Sequence, residues 1–242
     1  MKASFRIGST VAIALMLALS LPPNCLGDTY ADIKLKCPVD RHEFTVQAVV
    51  SMTSSGSYFD FQEKGAIGRY YEDLVYSCPV CHFSGAREDF KKPLDASTKK
   101  RVLEELTPLL KGKQLDDVTE CEYAAKIYQW QNRKKEEIGN IYLIASYLLR
   151  GAEESRQDQR RQMQRLARQY LIAALEEKEI SAKERGVVSY LIGELYRRTG
   201  EFEEAIKWYD KALSERENRD AIKDIVVPQK ELATKRDANN KI

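Results

Sequence analysis

Histidine is the scarcest chemistry-bearing residue in this chain: His42 and His82 are the two in 242 residues. A glycine-rich phosphate loop is missing altogether. Enzymes that work by acid–base or nucleophilic chemistry need a base, a nucleophile and an orienting partner, and this composition offers few candidates. Net charge is scarce too. The formal charge is +2, Lys2 and Arg6 stand in a first stretch of 27 residues without an acid, and the remainder carries 37 basic against 37 acidic side chains. No global field therefore draws the protein to nucleic acid or anionic lipid. Long apolar runs are missing beyond residue 21, so no later segment is expected to span a membrane. With 43% hydrophobic and 31% charged residues the chain has a globular rather than a disordered composition.

What is present begins with a secretory signal, expected over residues 1–27. Lys2 and Arg6 give the positive start, residues 7–21 the apolar stretch, and Pro22 and Pro23 the break. Cys25 and Gly27 are small residues at the −3 and −1 positions before Asp28. The apolar stretch is about fifteen residues, short of the roughly 18 of a spanning helix. Cleavage after Gly27 is expected; an uncleaved anchor is the rival, and a lipoprotein reading of Cys25 is disfavoured by Pro23 and Asn24. The protein is thus expected in the periplasm or outside the cell. Cys37, Cys78, Cys81 and Cys121 then meet an oxidising compartment, where disulfides form.

Two textures follow. Residues 28–95 are short-period and turn-rich, with strands expected over 33–36, 43–50 and 72–77; Phe44, Val46, Ala48 and Val50 alternate with polar and smaller neighbours. From residue 96 the pattern is helical. Three hairpins are expected, at 97–110 with 118–131, 136–149 with 160–178, and 183–199 with 201–216. A last helix over 219–236 is expected to be interrupted by Pro228. The predicted fold class is mainly α: a tetratricopeptide-like α-solenoid over 96–218, preceded by a small β zinc-ribbon-like module over 28–95 and followed by a C-terminal helix and tail over 219–242.

The third hairpin carries the strongest pattern. Counting from Gly186, position 8 is Gly193, 11 is Tyr196, 15 is Gly200, 20 is Ala205, 24 is Tyr209 and 27 is Ala212, which resembles the tetratricopeptide repeat. Gly193 and Ala205 are small where two helices cross; Tyr196 and Tyr209 fill the gap between hairpins; Gly200 suits the left-handed turn. The second hairpin repeats the pattern with Ala145, Leu148, Ala167, Leu171 and Ala174, around a ten-residue insertion near 151–160 that lengthens the turn. The resemblance implies a concave groove lined by Val187, Tyr190, Glu194, Arg197 and Arg198 in one repeat and by Tyr142, Ser146, Leu149 and Arg150 in another, with Gly139 offering no side chain. Tyr142, Arg150, Tyr190, Glu194, Arg197 and Arg198 are the expected contacts for a protein or peptide ligand. The rival reading makes Arg197 and Arg198 ordinary solvated residues at a helix end. Arg161, Arg165 and Arg168 are expected on a solvated helix face, with no nucleic acid as partner.

Cys78-Pro79-Val80-Cys81 has the spacing with which two thiolates grip one tetrahedral ion, and Cys37-Pro38-Val39-Asp40 has the same frame with Asp in the last place. Cys37, Cys78 and Cys81, with Asp40 or His42 as fourth ligand, are the candidate site for a structural zinc. His82 is disfavoured because its backbone belongs to the turn. A disulfide among these cysteines and a redox Cys78/Cys81 pair are the competing readings. Cys121 is expected to be a buried small hydrophobe.

Together, Cys37 to Asp40 with Phe44, Tyr71 to Cys81 followed by Phe90, and Tyr190 to Arg198 resemble a bacterial family of uncharacterised proteins known as domain of unknown function 2225. The family's pattern has cysteine in place of Asp40 and glycine in place of His82. The resemblance implies a ribbon-like N-terminal part and repeat helices, and no activity. An exported adaptor or scaffold is the expected function. An enzyme centred on Cys78 and Cys81, and a self-associating subunit of an envelope assembly, are the rivals. No membrane span is expected after signal cleavage.

Overall fold

The computed structural model describes residues 29–64, 70–109, 114–217 and 219–239. The expected signal at 1–27, including Cys25, lies outside them. Strand β1 (Thr29–Lys36) pairs antiparallel with β2 (Glu43–Ser51), setting Ile33 against Val46 and Leu35 against Phe44. The alternation places Ala48 inside, whereas Val50 is left exposed at the strand's end. The strand expected at 72–77 shrinks to β3 (Tyr76–Ser77), paired with β4 (Ser84–Gly85), because Glu72–Leu74 winds into a 3-10 turn that puts its backbone out of reach of the ladder.

Among the described residues seven helices follow: α1 (Ala96–Arg101), continued by a π turn at Val102–Leu106, α2 (Asp117–Trp130), α3 (Lys135–Leu148), α4 (Gln157–Glu176), α5 (Arg185–Arg198), α6 (Phe202–Ser214) and α7 (Arg219–Thr234). Asp95 and Asp116 start the first two by accepting the Thr98 and Thr119 amides at 2.9 and 2.7 Å. At the end of α5, Gly200 takes φ +85°, and the Gly200 and Glu201 amides turn back onto the Arg197 and Tyr196 carbonyls. Successive helices pack on one another from α2 to α7. No described helix is long and apolar enough to cross a membrane.

Three apolar clusters hold the molecule together. The first joins β1, both cysteine turns, Phe83 and Phe90 to Val102, Leu106 and Ile127, so the boundary in texture near residue 95 is crossed by one shared core. The second fills the space among α2, α3, α4 and α5, and the third the space among α5, α6 and α7. Helix α7 runs straight through Pro228 where an interruption was expected. Ile222, Val226 and Ala233 of α7 are buried in the third cluster, and that burial outweighs the lost amide.

The insertion near 151–160 follows expectation only in part. Residues 149–156 do lengthen the connection, with a 3-10 turn at Glu154–Arg156, but α4 already begins at Gln157, so the last part of the insertion adds helix. A Cβ on Gly139 would lie 3.2 Å from the Ala167 carbonyl oxygen, as one on Gly193 would lie 3.2 Å from that of Ala205. Gly139 is thus a small residue at the close approach of α3 to α4, one the repeat pattern did not single out for that role; Ala145 is wholly buried.

Candidate functional site

The two cysteine turns are built alike. In the first, the Arg41 amide donates to Cys37 O at 3.1 Å and the Cys37 amide to His42 O at 2.9 Å. In the second, the His82 amide donates to Cys78 O at 2.9 Å and the Cys78 amide to Phe83 O at 2.9 Å. Arg41 and His82 sit in the left-handed region, at φ +68° and +63°, where the chain must reverse to bring residues one and four of each turn to the same side. One ligand atom from each of Cys37, Asp40, Cys78 and Cys81 lies within 4.8 Å of all the others. Cys37 Sγ is 3.4 Å from Cys81 Sγ, and Cys78 Sγ is 3.5 Å from Asp40 Oδ2. The three thiols are buried, while Asp40 faces solvent. Hydrogen bonds within the cluster, to Cys78 for Cys37 and to Cys37 for Cys81, push both thiol pKa values up, Cys37 to about 12. Three sulfur donors and a carboxylate converging from two such turns are a donor set that fits a tetrahedral thiophilic ion such as zinc.

His42 stands outside that group, which corrects its candidacy as fourth ligand. The left-handed turn at Arg41 sends the chain back into β2, so His42 offers only its amide to Asp40 Oδ1, at 2.9 Å, and stacks its exposed ring on Phe44. His82 is buried and bound into the second turn. Cys121 is a buried free thiol in the helical core, and burial raises its pKa.

The residues expected to line an open groove are placed otherwise. Tyr190, Glu194 and Arg197 are wholly buried and Arg198 is 2% exposed, so these four present no open surface, and Tyr142 is buried as well. Two features cause this. Glu194 sits at the centre of an internal network. It accepts from Arg197 Nε at 2.9 Å, Arg198 Nε at 2.6 Å and Tyr209 Oη at 2.8 Å. Arg197 also donates to the Asp237 carbonyl at 2.8 Å, beneath the C-terminal segment. The second feature is a narrow hairpin of the N-terminal region. The Ser55 amide meets Lys64 O at 2.8 Å and the Phe61 amide meets Tyr58 O at 2.9 Å. This leaves Tyr58 to Gln62 as a tip laid against α3 and α5.

That tip is held by donors on both helices. Tyr190 Oη donates to Phe59 O at 2.6 Å, and Tyr147 Oη donates to Asp60 O. Arg150 binds both Asp60 and Gln62 through their side chains, and Arg198 reaches Asp60 Oδ2 at 3.3 Å. Phe61 packs on the Tyr190 ring, 5.4 Å between centroids, despite a φ of +66° that bulky residues rarely adopt. Among these anchors Arg150, Tyr190 and Arg198 were expected to contact a separate protein or peptide ligand, and here they hold the chain's own tip. Tyr147 and Asp60 were not foreseen; a lone Asp in a polar loop carries no local signal of a partner 90 residues away. Arg168, expected to be solvated, instead grips Glu201 at 2.8 Å and lies over the Tyr196 ring.

No curated protein and no solved structure matches the chain at a significant level. Residues 30–233 match the family described as uncharacterized protein conserved in bacteria (DUF2225), a span that takes in both cysteine turns, the tip, helices α1 to α6 and α7 as far as Ala233, and the chain belongs to that family.

Proposed function

We propose that this chain is an exported, non-catalytic scaffold: a zinc-stapled N-terminal module fused to stacked tetratricopeptide-like hairpins that offer a protein or peptide its docking surface. The observation that carries the reading is the convergence of Cys37, Asp40, Cys78 and Cys81 from two matching turns. Those four residues would hold the ion, and the ion would supply a cross-link between β1–β2 and the turn before β4. In a core shared with Val102, Leu106 and Ile127, such a link stabilises the first helices as well as the strands.

A thiol-redox role has less support. It wants a reactive cysteine at the start of a long helix, whereas Cys81 is followed by His82 in a left-handed turn and then by β4. A disulfide keeps one specific observation in its favour, the Cys37–Cys81 approach at 3.4 Å. Metal analysis and thiol titration of the mature protein, purified without chelator, separate the two. About one zinc per chain with Cys37, Cys78 and Cys81 protected until chelator is added supports the staple. A metal-free protein with a Cys37–Cys81 bridge, found by peptide mapping, would overturn it. The scaffold reading is tested by affinity capture from the cell envelope with the intact chain and an Arg150→Ala variant that keeps its helical circular dichroism. A partner retained by the first and lost by the second is expected; a measured turnover of any small molecule would count against it.

A further inference from the structure

The two cysteine turns share one frame, yet their closing residues differ. Cys81 ends the second turn and is 1% exposed; Asp40 stands at the matching place of the first and faces solvent. The three sulfurs lie in the core that also holds Leu35, Phe83 and Phe90, and Cys37 Sγ accepts the Val39 amide at 3.4 Å. Packing and backbone thus fix the sulfurs in place. Asp40 is tied differently. Its Oδ1 already accepts the His42 amide at 2.9 Å, and Cys78 Sγ stands 3.7 and 3.5 Å from its two oxygens. On an ion held by this cluster Asp40 would be a hard donor among three soft ones, and a thiophilic ion prefers sulfur. The weakest bond of the set would therefore lie on the side that water reaches.

We infer that Asp40 is a displaceable arm, and that the solvent side of the cluster takes an external thiolate in its place. The exchange is a ligand substitution without redox. The bond from the metal to the Asp40 oxygen breaks, a bond to the incoming sulfur forms, and the thiol proton goes to solvent. Cys37, Cys78 and Cys81 keep their bonds, so the cross-link between the two turns survives while a fourth sulfur docks. A free monothiol and a cysteine of a bound protein share this chemistry. Because Asp40 competes for the same position, the apparent affinity is reduced by the fraction of chains in which that carboxylate has let go. The inference rests on the zinc-staple reading and adds a ligand to it.

The test loads the full mature chain, reduced, with cobalt(II), whose absorption reports the sulfurs bound to it. Adding 2-mercaptoethanol should raise the sulfur-to-cobalt absorption to a plateau about one third higher, as three sulfurs become four. Acetate should leave it unchanged, since it exchanges one carboxylate for another. Asp40→Ala should reach its plateau at about tenfold lower thiol concentration, because no internal carboxylate competes. Asp40→Cys should start at the plateau and ignore added thiol. A second arm replaces 2-mercaptoethanol with a cysteine-bearing peptide. Tighter binding of the peptide identifies a protein cysteine as the ligand, and equal or weaker binding identifies a free thiol. A loaded wild type that ignores both, a thiol that strips the cobalt instead, or an Asp40→Ala chain that binds thiol no more tightly overturns the inference and leaves the staple standing. A chain that takes up neither cobalt nor zinc overturns both. If Asp40→Ala fails to fold, the wild-type and Asp40→Cys titrations decide.

Discussion

Gly193 is the residue whose neighbours leave it least freedom. A Cβ there would stand 2.8 Å from Tyr209 Cδ1, closer than side chains pack, whereas at Gly139 the nearest approach would be 3.2 Å. Gly193→Ala should lower the unfolding free energy by about 1–3 kcal/mol through overpacking, more than the ~1 kcal/mol that alanine gains in a helix. Gly139→Ala should cost less, and urea denaturation will rank them. Glu194 sets a second residue-scale limit. Burial works to raise its pKa, but the hydrogen bond from Arg197 and the charge of Arg198 outweigh it, so the carboxyl titrates below the ordinary 4.5. A group with a depressed folded pKa adds stability above its unfolded value and loses it as pH falls through the folded one. The thermal midpoint should therefore drop below about pH 4.5. Glu194→Gln should flatten part of that fall while costing about 3–5 kcal/mol at neutral pH, because Arg197 and Arg198 lose their buried partner. A midpoint that does not move in the variant would refute the central place given to Glu194.

Among the elements, those set by local chemistry were the legible ones. Both cysteine turns could be read because Cys-Pro-Val-x followed by a left-handed residue is a four-residue event with its own hydrogen bonds. Helices α2 to α6 fall close to the boundaries that periodicity gives, and the Asp116 cap of α2 and the Gly200 turn after α5 are sequence-local signals. The strand expected at 72–77 was shortened because Glu72–Leu74 winds into a 3-10 turn, leaving Val75 and Tyr76 to enter the core just after it. The helix through Pro228 was missed for the opposite reason: burial of Ile222, Val226 and Ala233 overrides a local penalty. Pro228→Ala should accordingly restore an amide donor within α7 and raise stability by up to about 3 kcal/mol, read as a higher denaturation midpoint. A lower midpoint would mean that the proline ring itself is packed.

At the scale of the whole molecule, the candidate site was half legible. The cysteines declared themselves by spacing; the inner wall did not, because what covers it comes from far away in sequence. Arg150 and Arg198 carry the same chemistry whether they face water or Asp60, and no periodicity distinguishes the two. The metal reading has a consequence at this scale that a purely local staple would not. Since Cys37, Cys78 and Cys81 share a core with Val102, Leu106 and Ile127, chelation at neutral pH should lower the melting midpoint of the helical signal, not only loosen the strands. Cys37→Ser should reproduce that loss without chelator, by about 2–5 kcal/mol in denaturant titration if a thiolate ligand is forfeited. An unshifted helical melt in both cases would show that the cluster carries no ion.

The contact between Phe59 and Tyr190 joins residues 131 apart in sequence. A chain severed between residues 64 and 70 would leave the larger piece with Tyr147, Arg150, Tyr190 and Arg198 stripped of their cover. The smaller piece would lack the Cys78 and Cys81 pair. Neither fragment would then be self-sufficient, and the two should recover native structure only by reassociating, as complementing halves of one fold.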